Sequence, residues 1–412
     1  MGLGISGKSV TKFLLEAGAI VYGFDEKITT VEIAHENFTL VDELIDGLEC
    51  LIFSPGIPPQ HWLLQEAKEK MLSTVGEAEF SARILSQSNK LIAITGTNGK
   101  TTVTLLLEHL LRSCGIDAHA AGNVGIPLSS FIGQENKVFV VEMSSFQIES
   151  MKEKVFSHAL ILNISPDHLD RYANYEAYAR AKLHLQACVK SLENFYVDDE
   201  ILCNWPNLLG NKSQSFEKLA KEKIEYILGL RYTEIRTHDE KNLLAAYALS
   251  KHFGVSEKDF VKATKTFKKP PHRLELIKEF NNIQVFNDSK ATNAEAVIEA
   301  VNSLEKEIIL IAGGSDKGLS YNKWPQCFAD KVVLLCAIGQ TKNKLKRVLG
   351  HCIRVKEFDK FQEAVSYAVN EAKSGQKILL SPGAASFDMF ANFEERGNVF
   401  KKLVSDLIFA KA

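Results

Sequence analysis

The sequence predicts an α/β protein with mainly parallel sheets, arranged in several domains. Short apolar runs of strand length alternate with longer segments of helical periodicity, which is the pattern of βαβ units. The chain has 412 residues, too many for one ordinary domain, and its apolar share of 45% is enough for more than one core. The candidate strands are Ile20–Phe24, Cys50–Phe53, Leu91–Thr95, Val138–Glu142, Ala159–Ile164, Ile308–Ala312, Val332–Ile338 and Lys377–Leu380.

Two joints divide the chain. A polar stretch at residues 86–90 precedes a new strand, and Lys268-Lys269-Pro270-Pro271 interrupts a helical pattern. We therefore expect three domains, at about residues 1–80, 81–268 and 269–412. Several candidate strands end in loops rich in glycine, serine or threonine, and ligands of open α/β sheets bind outside the carboxyl ends of strands. These loops are the first places to look for a site.

Charge and cysteine content narrow the class of protein. The 49 Lys and Arg residues oppose 51 Asp and Glu residues, and this net charge of −2 argues against a nucleic-acid-binding surface. The seven cysteines are scattered and form no C-x-x-C pair, which argues against a zinc site and favours a reducing compartment. No apolar run approaches the ~20 residues of a membrane span, and no signal peptide is recognisable. We expect a cytoplasmic protein without membrane or nucleic-acid partners.

The first motif is a G-x-G-x-x-G at residues 2–7, followed by the candidate strand Ile20–Phe24 and then Asp25. Such a turn is typical of dinucleotide binding when a strand feeds it, but only Met1 stands before Gly2. From the residues alone, an NAD-dependent oxidoreductase stays open. Because a doubly wound sheet needs that first strand, we expect the protein to begin some ten residues upstream of Met1, with an apolar β-strand. In the present chain, we expect a gap or shifted pairing in the first sheet.

A glycine-rich loop at residues 95–102, Thr-Gly-Thr-Asn-Gly-Lys-Thr-Thr, connects the candidate strand Leu91–Thr95 to a helical segment. Strand, turn and helix N-terminus together place backbone N–H groups around a phosphate. We expect Lys100 to reach the β- and γ-phosphates of ATP and the Thr101 hydroxyl to face Mg²⁺. The loop is a shortened variant, because Ile94 stands where the usual pattern has its first glycine. The alternative is an ordinary turn with a surface lysine.

Further motifs follow in a fixed order. They are Gly122-Asn123, Glu142-Met143-Ser144-Ser145-Phe146-Gln147, Asp167-His168-Leu169-Asp170-Arg171-Tyr172, His272-Arg273-Leu274-Glu275, Asn287-Asp288-Ser289-Lys290-Ala291-Thr292-Asn293, Gly313-Gly314-Ser315-Asp316-Lys317, and Ser381-Pro382-Gly383-Ala384-Ala385-Ser386-Phe387-Asp388 with Asn392-Phe393-Glu394-Glu395-Arg396-Gly397. Together with the glycine-rich loop they resemble the Mur ligases and, in their ATP-binding part, the folylpolyglutamate synthetases. The resemblance covers essentially the whole chain, and the last motif resembles the family members that add D-glutamate.

The resemblance implies a Rossmann-like UDP-binding domain, a central P-loop ATPase-type domain and a C-terminal Rossmann-like domain that binds the amino acid. It implies an ATP-dependent, amide-forming ligase of peptidoglycan precursor synthesis that acts as a monomer through an acyl phosphate. The implied substrates are UDP-N-acetylmuramoyl-L-alanine and D-glutamate. The alternatives are another Mur-type ligase, a folylpolyglutamate synthetase-like ligase, the oxidoreductase, and a nucleotide-binding regulator without catalysis. The regulator would be expected to lose Lys100, Glu142 or Lys290, and all three are present.

For the nucleotide and the metal, the resemblance implies residues on both sides of the glycine-rich loop. The implied ATP-binding residues are Gly96, Thr97, Asn98, Gly99, Lys100, Thr101, Thr102, Asn242, Arg273 and Asp288. The implied ligands of two Mg²⁺ sites are Thr101, Glu142, His168 and a carbamate on Lys182. The implied catalytic residues are Lys100, Glu142, His168, Lys182 and Lys290. Near the adenine the family pattern is broken at Asp239, whose carboxylate can accept but not donate a hydrogen bond.

For the other two substrates, the resemblance implies residues in the first and third domains and in the central one. The implied UDP-substrate-binding residues are Gly4, Ser6, Gly7, Asp25, Glu26, Lys27, Ser54, Pro55, Gly56, Asn123, Ser144 and Gln147. The implied D-glutamate-binding residues are His168, Thr292, Lys317, Ser386 and Phe393. Simpler interpretations stay open for some of these residues. Phe393 could be a core residue, Arg273 could form an interdomain salt bridge, and Lys182 could be a solvated helix lysine.

Overall fold

A computed structural model describes residues 1–28, 33–219 and 237–409, except for the side chains of residues 237–239. The chain divides into two compact units. The first comprises Met1–Ile164, Glu176–Ile235 and Asp239–Phe267, and the second comprises Ser165–Tyr175, Arg236–His238 and Lys268–Ala412. Both units combine parallel sheets with helices, so the predicted α/β class is confirmed. The finer division into three domains stays a prediction.

In the described residues of the first unit, ten strands and nine α-helices have complete bounds. The strands are β1 Val21–Gly23, β2 Phe38–Leu40, β3 Cys50–Phe53, β4 Ser73–Gly76, β5 Lys90–Thr95, β6 Ala118–Gly122, β7 Val138–Glu142, β8 His158–Ile161, β9 Phe195–Val197 and β10 Gln214–Ser215. The α-helices are α1 Ile5–Glu16, α2 Trp62–Glu69, α3 Glu77–Leu85, α4 Lys100–Ser113, α5 Ser145–Ile148, α6 Tyr175–Leu183, α7 Asp199–Asn204, α8 Thr237–Ser250 and α9 Glu257–Thr266.

The main sheet of the first unit has six parallel strands in the order β10-β9-β8-β5-β7-β6. Strand β5 is fully buried from Leu91 to Thr95 because it lies between β7 and β8 and is covered on both faces, which explains its continuous apolar run. Helix α4 packs on one face, where Leu106 and Leu110 are buried. This arrangement brings the carboxyl ends of β5, β7 and β8 to one edge of the sheet.

The first 76 residues form two separate parallel strand pairs, β1 with β2 and β3 with β4. Residues 1–3 form no strand, as expected, but they lie between the pairs: Gly2 N–H donates to Phe24 O, and Ser54 N–H donates to Met1 O. A cavity of about 630 Å³ is lined by residues of β1, β3 and α1, including Val10, Leu14 and Ile52. The expected gap in the first sheet is therefore present, and the upstream strand stays a prediction.

The second unit contains a six-stranded sheet in the order β11-β12-β16-β13-β14-β15, parallel except for the β11–β12 pair. Its strands are β11 Glu275–Phe280, β12 Ile283–Asn287, β13 Ile308–Gly313, β14 Val332–Ile338, β15 Arg354–Glu357 and β16 Lys377–Leu380. Its helices are α10 Ala294–Asn302, α11 Trp324–Phe328, α12 Lys342–Leu349, α13 Phe361–Glu371 and α14 Phe393–Phe409. Two apolar clusters cover the two faces of the sheet.

Some predicted bounds shift by a few residues. The strand predicted at 159–164 ends at Ile161, because Asn163 turns its backbone carbonyl to Thr97 N–H instead of continuing the ladder. The helix predicted at 175–186 ends at Leu183 and continues as a 3₁₀ turn, His184–Cys188. Among the described residues, no helix is both long and apolar enough to cross a membrane.

Candidate active site

The glycine-rich loop lies between β5 and α4 at the carboxyl edge of the first unit's sheet. Gly96 and Gly99 have φ values of 157° and 84°, a region that favours glycine, and α4 begins at Lys100 directly after Gly99. Thr101 and Thr102 therefore stand in the first helical turn, where Thr101 is half-buried and Thr102 is buried. The positive end of the helix is directed at the loop, as an anion site requires. The Lys100 ammonium lies across the loop and donates to Gly96 O and Thr97 O, both at 2.9 Å.

Asn163, which the sequence analysis did not select, fixes this loop. Its Oδ1 accepts hydrogen bonds from Thr97 N–H at 3.0 Å and Asn98 N–H at 2.8 Å, and its Nδ2 donates to Asn98 O at 3.1 Å. One side chain thus holds the backbone of two loop residues in place. The available signal was its position just beyond the neighbouring strand β8.

Asn242 and Gly99 lie in close contact. A Cβ atom at Gly99 would stand 2.4 Å from Asn242 Oδ1, so only glycine allows this approach. Asn242 itself is buried on α8. The structure therefore brings one of the residues predicted for ATP binding against the glycine-rich loop. The side chain of Asp239, where the family pattern is broken, lies outside the described part of the chain.

Glu142 ends strand β7 beside this loop and is buried. Its Oε1 accepts a hydrogen bond from Asn123 Nδ2 at 3.0 Å, while its Oε2 is buried without a hydrogen-bond partner among the described residues. A buried carboxylate oxygen of this kind is costly unless a cation or a donor approaches it. Glu142 therefore fits the predicted role of a Mg²⁺ ligand.

Lys182 on α6 is only 2% exposed, so the alternative of a solvated helix lysine is wrong. Its Nζ donates to Gly96 O at 2.8 Å and lies 3.4 Å from Thr95 Oγ1 and 4.9 Å from the centre of the Tyr178 ring. The amine thus reaches the start of the glycine-rich loop. Within the described residues, no three His, Cys, Asp or Glu side chains cluster as metal ligands, so the predicted set depends on Thr101 and a modified Lys182.

Ser144 and Gln147, both predicted to bind the UDP-substrate, form a capping box at the start of α5. Gln147 N–H donates to Ser144 Oγ at 3.3 Å, and Ser144 N–H donates to Gln147 Oε1 at 2.9 Å. Their side chains fix the turn that follows Glu142. Asn123, the third residue predicted in this part, is exposed and directs its amide to Glu142.

The glycine motif at residues 2–7 is closely packed. A Cβ atom at Gly7 would lie 1.7 Å from Gly2 O, and the Ser54 hydroxyl donates to Gly2 O at 3.0 Å. Gly4 is the N-cap of α1 without any side-chain cap, and Ser6 lies in the first turn. The loop predicted at Ser54, Pro55 and Gly56 therefore touches the glycine turn through Ser54, so two segments predicted to bind the UDP-substrate lie together.

Asp25 organises the loop at residues 25–27, which is predicted to bind the UDP-substrate. Its Oδ2 accepts from Leu3 N–H at 2.7 Å, and its Oδ1 accepts from Lys27 N–H at 2.9 Å and Ile28 N–H at 3.1 Å. Burial acts to raise the pKa of Asp25, but these three backbone donors outweigh it and lower the pKa below the ordinary value. Glu26 is hydrogen-bonded to His61 Nε2 at 2.9 Å, and Lys27 is exposed.

In the second unit, Asp288 follows β12 and is buried. Its Oδ1 accepts from Leu274 N–H at 3.1 Å and its Oδ2 from the Ser381 hydroxyl at 2.7 Å. Burial raises its pKa to about 7, although these donors and the nearby Arg273 and Arg396 act in the opposite direction. Asp288 thus joins the ends of β12 and β16, with the half-buried Arg273 close enough to affect its charge.

Lys290 and Phe393 lie together, with the Lys290 ammonium 3.7 Å from the centre of the Phe393 ring. Arg396, which the sequence analysis did not select for a role, is fully buried beneath them. It donates to Ser289 Oγ, Ser289 O and Ala384 O at 3.0, 2.8 and 3.2 Å. Arg396 therefore holds the loop that carries Lys290 against the loop that carries Ser386.

The remaining residues predicted for D-glutamate lie at the carboxyl edge of the second sheet or in the short segment before α6. Thr292 follows β12 and Lys317 follows β13, and both are half-buried. Ser386 follows β16 and is buried. His168 lies in the segment 165–175 with a φ of 53°, a conformation that a non-glycine residue adopts only when its surroundings hold it. Asp167 Oδ1 accepts from His168 N–H at 2.9 Å.

Comparison with known proteins identifies the family. The Mur ligase middle domain matches residues 94–253, and the Mur ligase glutamate ligase domain matches residues 272–383. The UDP-N-acetylmuramoylalanine–D-glutamate ligase of Protochlamydia amoebophila is 37% identical over 98% of this chain and 96% of its own. The chain belongs to the Mur ligase family. The Chlamydia pneumoniae protein of the same name is 38% identical to this chain, and the match covers 99% of this chain and 97% of the relative.

Solved structures agree with this assignment at the level of the fold. The UDP-N-acetylmuramate–alanine ligase of Thermotoga maritima superposes with a TM-score of 0.58 at 16% identity, over 98% of this chain and 97% of the other. A pseudomurein peptide ligase type C from Methanothermus fervidus gives a TM-score of 0.60 at 15% identity, over 98% of both chains. This Mur ligase therefore has the α/β architecture of its family.

Proposed function

We propose that this Mur ligase adds D-glutamate to UDP-N-acetylmuramoyl-L-alanine at the expense of ATP, in peptidoglycan precursor synthesis. The observation that supports this most directly is the near-complete match to proteins of that name at 35–38% identity. The buried Glu142 and the lysines at the glycine-rich loop support the ATP-dependent step, because a regulator without catalysis would not need them. The oxidoreductase alternative leaves these residues unexplained.

The chemistry proceeds in two steps. The carboxylate of the UDP-linked substrate attacks the γ-phosphorus of ATP, an O–P bond forms, and the bond from that phosphorus to ADP breaks. The amine of D-glutamate then attacks the acyl phosphate carbon, forming the amide and releasing inorganic phosphate and a proton. Activation is needed because hydroxide is a poor leaving group and phosphate a good one.

The residues of this chain position and stabilise the charges. Lys100, with the N-terminus of α4, binds the β- and γ-phosphates, and Lys290 stabilises the charge that develops on the transferred phosphoryl group. Arg273 and Asp288 are also assigned to ATP binding. The residues that would hold Mg²⁺ are Thr101, Glu142, His168 and Lys182 as a carbamate. When bound, Mg²⁺ neutralises phosphate charge during transfer.

The substrate-binding part of the proposal assigns the UDP moiety to the loops at residues 2–7, 25–27 and 54–56. It assigns the two carboxylates of D-glutamate to Lys317, Thr292 and Ser386, with His168 and Phe393 nearby. A Rossmann-like first domain, a central P-loop domain and a Rossmann-like C-terminal domain would each bind one substrate. A monomeric state and a cytoplasmic location stay predictions.

One assay tests the function. Phosphate release from ATP is measured with the UDP-linked substrate, D-glutamate and Mg²⁺, and then with each omitted in turn. We expect release only when all are present, and none when L-alanine, a diamino acid or a dipeptide replaces D-glutamate. Efficient turnover with another amino acid would assign the chain to another branch of the family.

The carbamate on Lys182 needs its own test. Lys182→Ala should lose most activity, because a magnesium ligand is removed, and should regain part of it with added short carboxylates that occupy the vacated space. A fully active variant would contradict the assignment. The exposed lysine variant Lys154→Ala serves as the control and should be unaffected by added carboxylates.

A further inference from the structure

The loops that carry Lys317 and Ser386 lie against each other through their backbones. Ser315 N–H donates to Ala385 O at 2.9 Å, and these two residues form an isolated antiparallel bridge. A Cβ atom at Gly314 would stand 2.2 Å from Ala385 O, so glycine is required for the approach. Lys317 lies two residues after Ser315, and Ser386 lies directly after Ala385. The separation of these two side chains therefore depends on how the two loops are fixed.

A third loop, which carries none of the predicted substrate-binding residues, fixes them. Thr341 follows β14 and is fully buried. Its Oγ1 accepts a hydrogen bond from Gly314 N–H at 3.1 Å, and its own N–H donates to Gly314 O at 3.1 Å. Thr341 occupies the N-cap position of α12, yet its hydroxyl makes no hydrogen bond to that helix. Its hydroxyl serves the loop of Lys317 instead.

A second buried hydroxyl continues the connection. Tyr321 stands in the segment after β13 that also carries Lys317, and it is 1% exposed. Its phenol donates a hydrogen bond to Gly383 O at 3.2 Å. Gly383 belongs to the loop of Ser386. The Thr341 hydroxyl therefore holds the loop after β13 to the loop after β14, and the Tyr321 hydroxyl holds it to the loop after β16.

We propose that the buried hydroxyls of Thr341 and Tyr321 are a positioning relay that sets the spacing between Lys317 and Ser386, and thereby selects the length of the dicarboxylic amino acid. This rests on the proposed function, in which Lys317 and Ser386 bind the two carboxylates of D-glutamate. Both hydroxyls belong to buried side chains. An amino acid one methylene shorter or longer would place one carboxylate away from its partner, and the relay prevents the loops from adjusting to it.

Removal of one hydroxyl tests the relay. Thr341→Val keeps the shape of the side chain and leaves Gly314 N–H without its acceptor. We expect the KM for D-glutamate to rise about five- to fifty-fold, and the KM for ATP to stay within about twofold. The preference in kcat/KM for D-glutamate over D-aspartate and D-2-aminoadipate should fall by at least about threefold. Thr341→Ser, which keeps the hydroxyl, should restore both values.

Tyr321→Phe tests the other end and also covers the case that Thr341→Val folds poorly. Its ring can keep its packing against Trp324, at 4.7 Å between ring centres, while the bond to Gly383 O is lost. We expect the same pattern of KM changes and, in the double variant, a combined effect smaller than the product of the two. Thr264→Val, on a helix of the first unit, is the matched control.

The outcomes separate this proposal from the proposed function. If the wild-type protein releases no phosphate with D-glutamate, the proposed function fails. If the wild type uses D-glutamate but Thr341→Val and Tyr321→Phe keep its KM and its discrimination, the relay is wrong. Equal increases in the KM values for ATP and D-glutamate would also overturn it, because they would indicate a general structural role.

Discussion

The glycine-rich loop of the first unit lies at the carboxyl edge of its sheet. The loops of the second unit that are proposed to bind the amino acid, here called the amino-acid loops, lie at the same edge of their own sheet but are held in place differently. Residues 95–102 are one continuous segment, held by side chains such as Asn163. The proposed second site is assembled from loops after β12, β13 and β16, which are held to one another by backbone contacts, buried hydroxyls and the Arg396 guanidinium. A site made of one segment depends on single side chains, while a site made of several loops depends on the contacts among them.

The largest effect is expected in the continuous loop. Lys100→Ala should lower phosphate release at least about 100-fold, roughly 2.7 kcal/mol of barrier, because this ammonium is assigned to the transferred phosphate. Steady-state phosphate release gives the rate, and calorimetric titration should give unchanged affinity for the UDP-linked substrate. The exposed lysine variant Lys262→Ala is the control. A Lys100→Ala enzyme that retained more than about a tenth of wild-type turnover would refute the assignment of the loop.

The amino-acid loops should respond through KM. Lys317→Ala should raise the KM for D-glutamate about thirtyfold while changing that for ATP less than twofold, since its proposed partner is a carboxylate of the amino acid. Initial rates at varied D-glutamate and varied ATP provide both values. Lys344→Ala, which removes a lysine 3.3 Å from Asp316 in the same region, controls for local charge. Equal changes in both KM values would point to a phosphate-binding or structural role for Lys317.

A smaller effect should follow when the support of the continuous loop is removed. Asn163→Ala deletes three hydrogen bonds to residues 97 and 98, and we expect the KM for ATP to rise about tenfold with kcat less affected. Asn194→Ala is matched, because Asn194 Nδ2 donates to Ser157 O near the start of β8, away from the loop. If both variants changed the KM for ATP to the same extent, Asn163 would not be specific to the loop.

The smallest contrast concerns pH and stability. Asp288, with a pKa raised to about 7, binds protons more tightly in the folded than in the unfolded state, where the value is 3.8. The free energy of unfolding of the second unit should therefore fall as pH rises from about 4 to 7, by about 4 kcal/mol at most. Asp25 has the opposite sign, because its lowered pKa gives stability that is lost as pH falls below about 4.

Asp288→Asn should flatten the slope of the second unit. The measurement is urea unfolding at pH 5 and pH 7.5, followed by the fluorescence of the buried Trp324 after Trp62 and Trp205 are replaced by Phe. Asp25→Asn in the same background is the control and should leave the slope between these pH values unchanged. An unaltered slope in Asp288→Asn would mean that other groups dominate the pH dependence.

The strands that the sequence predicts well are those with a continuous apolar run. Cys50–Phe53 and Val332–Ile338 begin and end as predicted, because polar residues bound their apolar runs. The hairpin of β11 and β12 was not predicted, since edge strand β11 mixes apolar and charged residues and has no continuous apolar run. Its signal was the pair Asn281-Asn282, whose φ values of 47° and 60° make the two-residue turn.

The residues of the candidate site also divide into those that the sequence predicts and those that it does not. The glycine-rich loop and Glu142 could be predicted because their chemistry is carried by neighbouring residues and strand position. Asn163, Thr341 and Arg396 could not be assigned their roles, because each is a common polar residue whose importance comes from partners distant in the chain. The burial of Lys182 likewise depends on the packing of α6, which the helical pattern alone does not determine.

The interlocked backbone of the amino-acid loops has a consequence for protein engineering. A Cβ atom at Gly313 would lie 2.1 Å from Ile338 O at the end of β14. Cβ atoms at Gly314 and Gly339 would lie 2.2 Å from Ala385 O and 2.3 Å from Asp388 Oδ2. A single loop transplanted from a ligase with another amino-acid preference would clash with the neighbouring loops of this chain, because they are shaped to fit the original loop. Libraries aimed at a new amino acid should therefore exchange the segments 313–321, 339–341 and 381–388 as one cassette, and keep these glycines invariant.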